Sequence, residues 1–407
     1  MHLKSLTIFC CLTVTSLCWG MDSSFTKPAN SLPRVRFATE NLNSFDIQFV
    51  RGKASQSFNE FEKEVPLLSF HGAEDLLNRF IDQDLPYDDT TSVGQAFFDG
   101  ELRIFEYGLT FSKNFSNNMY VSCAGNISNT KFKKITVLPV SNTCRLLSEE
   151  EIENDTNLKS YVTTLQTELI DNCNHSCYNL GPLFFSLGYA KNYQHFEHAD
   201  FLDISFQAGI ALPPYNVNNS RLEQEQVFKA PTYQRVNIGI PIQASLEAGF
   251  YEWLNISATG LVIPFLSNDT MMRLNPTETN NILLSNDLAL TKVQQYPFVY
   301  FDAYIAADEL VPKAVLILGC SYAKQFKTVY TPQDTEKYSP DIVNQYSLHK
   351  PWNLLNLNFE AEFVFATEHK PSYPRLKFVY VYPLHGQSVY KTSLFNGQVG
   401  LDISYKF

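Results

Sequence analysis

A period of two constrains this chain more than any other feature. In its last fourteen residues, LFNGQVGLDISYKF, Val399, Leu401, Ile403, Tyr405 and Phe407 take every second position. Gln398, Gly400, Asp402, Ser404 and Lys406 fill the gaps. Side chains of a strand point alternately to its two faces, so this spacing gathers the apolar groups on one side and the polar ones on the other. A bare aromatic at the end of such a strand suits a wall whose outer face meets hydrocarbon and whose inner face meets water.

The same alternation recurs upstream. Reading backward, it marks strands near 374–385, 352–367, 313–325 and 295–307. Ile240 to Phe250 and Leu254 to Val262 form the clearest pair, joined by Tyr251-Glu252-Trp253. Further strands are predicted near 199–213, 181–190, 119–131 and 101–112, and a weaker one near 45–52. The total is about twelve. Their connections alternate between turns of a few residues (113–118, 191–198, 251–253, 308–312, 368–373) and mostly long loops (53–100, 132–180, 214–235, 267–294, 326–351). A soluble sandwich has no reason to keep such parity. Barrels in lipid have short turns at one end and longer loops at the other.

The terminal strand and this parity resemble bacterial outer-membrane β-barrel proteins, whose last strand typically ends in Phe. The resemblance covers the architecture of nearly all of residues 45–407 and no subfamily-specific motif. It implies an all-β, transmembrane, antiparallel up-and-down barrel of about twelve strands, ten to fourteen in range. It implies outer-membrane lipid and the barrel-assembly machinery as partners, and a bacterial outer-membrane location.

The N-terminus agrees with export. Lys4 precedes an uncharged, mostly apolar stretch from Leu6 to Cys18, and Gly20 offers a small residue at a cut, so residues 1–20 read as a signal peptide. Residues 21–44 read as a periplasmic lead-in. No second stretch reaches the roughly 18 apolar residues of a transmembrane helix. A hydrophobic content of 44% and a mean hydropathy of −0.17 are too polar for a helical membrane protein, but suit a barrel with half of each strand facing water.

Net charge is −11, and without Lys4 it becomes about −12; with no basic stripe, nucleic acid is not an expected partner. Five cysteines follow the signal: Cys123, Cys144, Cys173, Cys177 and Cys320. Cys173 and Cys177 are close enough to pair in an oxidising envelope, and Cys320 is the expected free thiol. A metal on Cys173, His175 and Cys177 would be cramped, and no metal site or cofactor is expected. Leu158, Tyr161, Val162, Leu165 and Leu169, and separately Leu76, Leu77, Phe80 and Ile81, have helical spacing inside long loops. They read as surface helices over the barrel mouth or as an inward constriction.

With the apolar face outward, the lumen receives Glu106, Asp203, Glu247, Asp302, Glu360, Glu362 and Asp402 as acids, and Arg375, Lys377 and Lys406 as bases. Carboxylate rings favour cations. Arg375 and Lys377 should lie on the strand beside Glu360 and Glu362, where opposite charges brace the wall as readily as they select ions. Phe298, Tyr300 and Tyr304 should also point inward. No Gly-x-Ser-x-Gly, His-Glu-x-x-His or P-loop occurs, and the His-x-Ser pair of outer-membrane phospholipases is missing, so no enzyme is expected. Three readings follow: a porin-like passive channel for small solutes, a closed surface or adhesive barrel acting through its loops, and a secreted β-sandwich glycoprotein. The last draws on seven Asn-x-Ser/Thr sequons, at Asn114, Asn126, Asn154, Asn174, Asn218, Asn255 and Asn268. Oligomeric state is not fixed by the sequence.

Overall fold

The computed structural model describes residues 42–69, 74–75, 95–115, 117–140, 153, 159–160, 162–167, 177–181, 183–194, 199–212, 237–251, 253–274, 288–311, 313–345, 350–365 and 372–404. Tyr405, Lys406, Phe407, Cys173, the 195–198 turn and the 76–81 segment lie outside these residues.

Twelve strands form the wall: β1 Leu42–Ala54, β2 Gln95–Asn114, β3 Met119–Val140, β4 Leu183–Gln194, β5 Phe201–Leu212, β6 Ile242–Phe250, β7 Leu254–Ile263, β8 Phe298–Val311, β9 Ala314–Gln325, β10 Trp352–Val364, β11 Ser372–Gln387 and β12 Ser393–Ser404. Each pairs antiparallel with its sequence neighbours, and β1 pairs with both β2 and β12, from Leu42↔Ser404 to Lys53↔Ser393. The twelve-stranded wall therefore closes on itself and has no edge along the β1–β12 seam.

The alternation that marks the strands also sets their two faces. On β2, Phe105, Tyr107, Leu109 and Phe111 point outward and are 41–54% exposed, while Ile104, Glu106 and Thr110 point inward and are 0–3% exposed. Every strand repeats this arrangement, with at least one strongly exposed outward apolar side chain. A soluble protein rarely carries so continuous an apolar girdle. In a bilayer the same girdle is solvated by lipid, and the closed ladder pairs backbone amides from each strand to the next.

Five connections at one end are short and the long ones lie at the other, as the parity predicts; 388–392, at the long-loop end, is short as well. Tight turns use residues with positive φ, among them Asn118 (φ 63°), whose side chain tolerates the left-handed region. β2 and β3 run further than their sequence alternation suggests. At about 3.3 Å per residue they reach roughly 65–75 Å, about twice what a tilted strand needs to cross hydrocarbon. Their far halves project beyond the barrel at the long-loop end.

Two small sheets stand at that end, in segments that the sequence alternation leaves to the connections. One joins Gln56–Phe58, Glu64–Pro66 and Val389–Tyr390. The other joins Asn268–Arg273, Leu288–Gln295 and Thr328–Pro332 and packs Met272, Leu274 and Val293 against Tyr338 and Val343, the latter on a short helix Pro340–Val343.

Candidate functional site

The inner wall is built in layers, because each strand presents every second residue to it. At the short-turn end sits a buried ion cluster. Asp46 on β1, Gly400 on β12 and Arg375 on β11 are consecutive partners across three strands. The Arg375 guanidinium reaches across the glycine: its Nη2 donates to Asp46 Oδ1 at 2.7 Å and to Asp402 Oδ1 at 2.9 Å. Its Nη1 lies 3.6 Å from Glu362 Oε1 on β10. Ser44 Oγ donates to Asp402 Oδ1 at 2.6 Å and accepts from Arg375 Nη2 at 2.9 Å. A Cβ on residue 400 would sit 2.3 Å from Asp46 Oδ1 and 2.7 Å from Arg375 Cζ, so only glycine leaves this passage open. One step along the barrel, Lys377 Nζ lies 3.1 Å from Glu360 Oε2. The predicted cross-strand ladder exists, and it is centred on Arg375.

The opposite wall carries further acids. Asp203 on β5 and Glu247 on β6 are direct cross-strand partners, as are Asp302 on β8 and Thr259 on β7. Asn192 Nδ2 donates to Asp203, and Tyr304 Oη donates to Glu247 Oε2 at 3.1 Å. Like charges directly opposite on adjacent strands are disfavoured unless something compensates them. Glu106 is inward on β2.

The next layer is made of amides. Gln48 on β1 and Gln398 on β12 are partners, with Asn396 and Asn358 on the neighbouring inner faces. These groups are almost wholly buried within the wall, yet both polar atoms of Gln48, Gln398 and Asn396, and the Asn358 carbonyl, lack a protein hydrogen-bond partner among the described residues.

Toward the long loops the inner wall turns apolar. Val50, Leu102, Ile104, Val379, Val381 and Leu394 form one half of this layer; Phe298, Tyr300, Leu261, Trp352 and Leu354 form the other. Loop residues cover both halves. Leu67 and Leu68 pack into the first with Leu165, and Phe58 packs into the second. Leu165 lies on a helical turn whose Gln166 accepts from the Val137 amide at 2.9 Å and donates to the Ile135 carbonyl at 2.6 Å. This part of the predicted 158–169 helix therefore leans on the inner face of the projecting β2–β3 hairpin.

Nine of the ten predicted lumen residues fall among the described residues, and all nine are on inner faces; Lys406 is the tenth. The structure brings Glu362, Arg375 and Asp402 together, and Glu360 with Lys377. It leaves Glu106, Asp302 and the Asp203–Glu247 pair on other sectors. Sequence reading missed Asp46, Ser44 and the amides. The signal for Asp46 was present in its alternation with Phe45, Ile47 and Phe49, on the strand with the weakest pattern. Cys123 and Cys320 are free thiols on the outer face. Asn126 and Asn255 point inward and are 4–5% exposed, which leaves no room for a glycan at either. No cluster of metal-ligating side chains occurs among the described residues.

No family model matches the sequence, and no curated protein does. Solved structures do. An outer membrane channel from Pseudomonas putida F1 is similar with a TM-score of 0.51 at 9% identity, over 92% of this chain and 97% of that one. The transport unit of the autotransporter AIDA-I from Escherichia coli gives 0.36 at 8% identity over 92% and 93%. The NanC porin gives 0.32 at 10% identity over 88% and 100%. The first likeness is one of fold, and with the closed twelve-stranded wall and its apolar girdle it defines the class: a transmembrane β-barrel of the bacterial outer-membrane type.

Proposed function

We propose that this barrel is a porin-like passive channel of a bacterial outer membrane, passing small polar solutes through a mildly acidic lumen, with its long loops facing outward and no chemistry of its own. The observation that carries this reading is the amide layer. With the neighbouring acids, these amides make the inner wall polar up to the apolar layer, a lining that suits water and small polar solutes. Acids outnumber bases on the inner wall, which favours cations. Removing the charges of Glu106, Asp203, Glu247 and Asp302 leaves the ion cluster intact.

Purified protein in a planar bilayer is expected to give discrete conductance steps with modest cation preference. The combined variant Glu106→Gln, Asp203→Asn, Glu247→Gln, Asp302→Asn is expected to keep the steps while its reversal potential in a salt gradient moves toward zero. A silent bilayer at high protein load refutes the channel.

The apolar layer under Phe58, Leu67 and Leu68 favours a second reading, a closed barrel acting through its loops. Hydrophobic constrictions gate by dewetting. Under the channel reading, Leu67→Ser with Leu68→Ser raises the conductance or the open fraction; under the closed reading both proteins stay silent.

A further inference from the structure

The outer wall is apolar at membrane level all round, but beyond that band the β1–β3 sector changes character. Lys53 on β1 opposes Arg103 on β2, and Arg103 opposes Lys131 on β3. This row lies on the outward face, in phase with Phe105, Tyr107 and Leu109. Arg51 is one outward step nearer the band, its guanidinium 5.8 Å from the centre of the Phe105 ring. Lys133 and Lys134 stand one step further out. The register shifts between Asp99 and Glu101, and Lys134 has a φ of 53°, so this bulge brings Lys134 beside Glu101. Glu101 sits among the six cations, with Arg103 Nε at 2.6 Å, Lys134 Nζ at 3.4 Å and Lys53 Nζ at 3.6 Å. Elsewhere at the long-loop end, the outward residues of β5, β6 and β7 are Ile210, Ile242 and Val262. Such a concentration of cations is local on a chain of net charge −11.

We propose that this sector binds the phosphorylated headgroup of a lipid in the leaflet at the long-loop end. Cations just above a lipid-facing apolar band meet headgroups before they meet bulk water, and Arg and Lys pair readily with phosphate. Adjacent strands are about 4.8 Å apart, so the row from Lys53 to Lys131 spans roughly 10 Å. That span suits a headgroup with more than one phosphate. The acyl chains would lie along Phe105, Tyr107 and Leu109, directly below. Glu101 holds the cations in one array and also offsets part of their charge. The inference rests on the orientation proposed above and not on conductance: a barrel that binds the lipid but stays silent in a bilayer would refute the channel alone.

The test uses the full chain folded in zwitterionic detergent, with a bisphosphorylated disaccharide lipid and its dephosphorylated form as probes and inorganic phosphate as competitor. The bisphosphorylated lipid is expected to be retained and the dephosphorylated one not. Lys53→Gln, Arg103→Gln, Lys131→Gln together are expected to weaken retention by about 100-fold, at roughly one factor of five per cation. Glu101→Gln is expected to strengthen it, while Lys324→Gln with Lys327→Gln, on and just beyond β9, leaves it unchanged. Equal retention of both lipids, a triple variant that binds like the parent, or full displacement by inorganic phosphate overturns the proposal. If the triple variant does not fold, Glu101→Gln decides by its sign: unchanged or weaker binding overturns the proposal.

Discussion

Arg375→Ala is expected to lower the stability of the folded barrel by about 3–5 kcal/mol, the range for removing one partner of a buried ion pair. The guanidinium lies within hydrogen-bond or ion-pair reach of Asp46, Asp402 and Glu362, and its side chain is 4% exposed. Alanine would remove the cation that these three carboxylates share. The readout is the urea midpoint for loss of the folded band in a heat-modifiability assay; a midpoint within about 1 kcal/mol of the parent sinks the prediction. The combination Arg375→Met, Asp46→Asn, Glu362→Gln, Asp402→Asn is expected to recover most of the loss, because it removes the charges with their partner. Gly400→Ala should weaken the same cluster from the backbone side, since its methyl would occupy the path between Asp46 and Arg375.

Leu318→Arg is expected to destabilise the protein in a lipid bilayer by about 2–4 kcal/mol, as for a cation at the middle of a lipid-facing wall. Leu318 is half exposed, on β9 between Ile305 and Phe359, both also outward. An exposed surface site in a soluble protein would change by less than about 0.5 kcal/mol on the same substitution. The sign and size together therefore report what solvates this face. Unfolding in vesicles measures it, with Leu318→Phe as the near-neutral comparison. An arginine variant as stable as the parent would be incompatible with Leu318 facing lipid.

Much of the wall was legible in the sequence because one periodicity encodes both its secondary structure and its two solvents. All twelve strands fall where alternation places them. The inward position of Glu362, Arg375 and Lys377 follows from the same count, and so does their cross-strand proximity. The extra length of β2 and β3 was hidden because their outward residues beyond the band are charged, so the hydrophobic signal stops at Phe105 while the ladder continues. Asp46 was hidden by a short pattern, although its parity agrees with its role. The amide layer and the loop residues over the mouth were not legible. Gln48 and Asn396 carry no charge to mark them, and Phe58, Leu67 and Leu68 reach the inner wall through tertiary packing that no local spacing encodes.

The seam between β1 and β12 has a further consequence for the order in which the molecule is assembled. Ser44 and Asp402 are hydrogen-bonded across 358 positions of chain. Contacts of such separation form late, since the entropy of bringing distant segments together must be met before the pairing rewards it. No chain that stops short of β12 can complete this wall: the strand that β1 requires is the last of the twelve to emerge. Until then the girdle that lipid will solvate is a liability in water, where exposed apolar surface favours collapse. The final step is then a zippering of twelve register pairs, with Arg375 arriving on β11 to meet one acid from each side of the join.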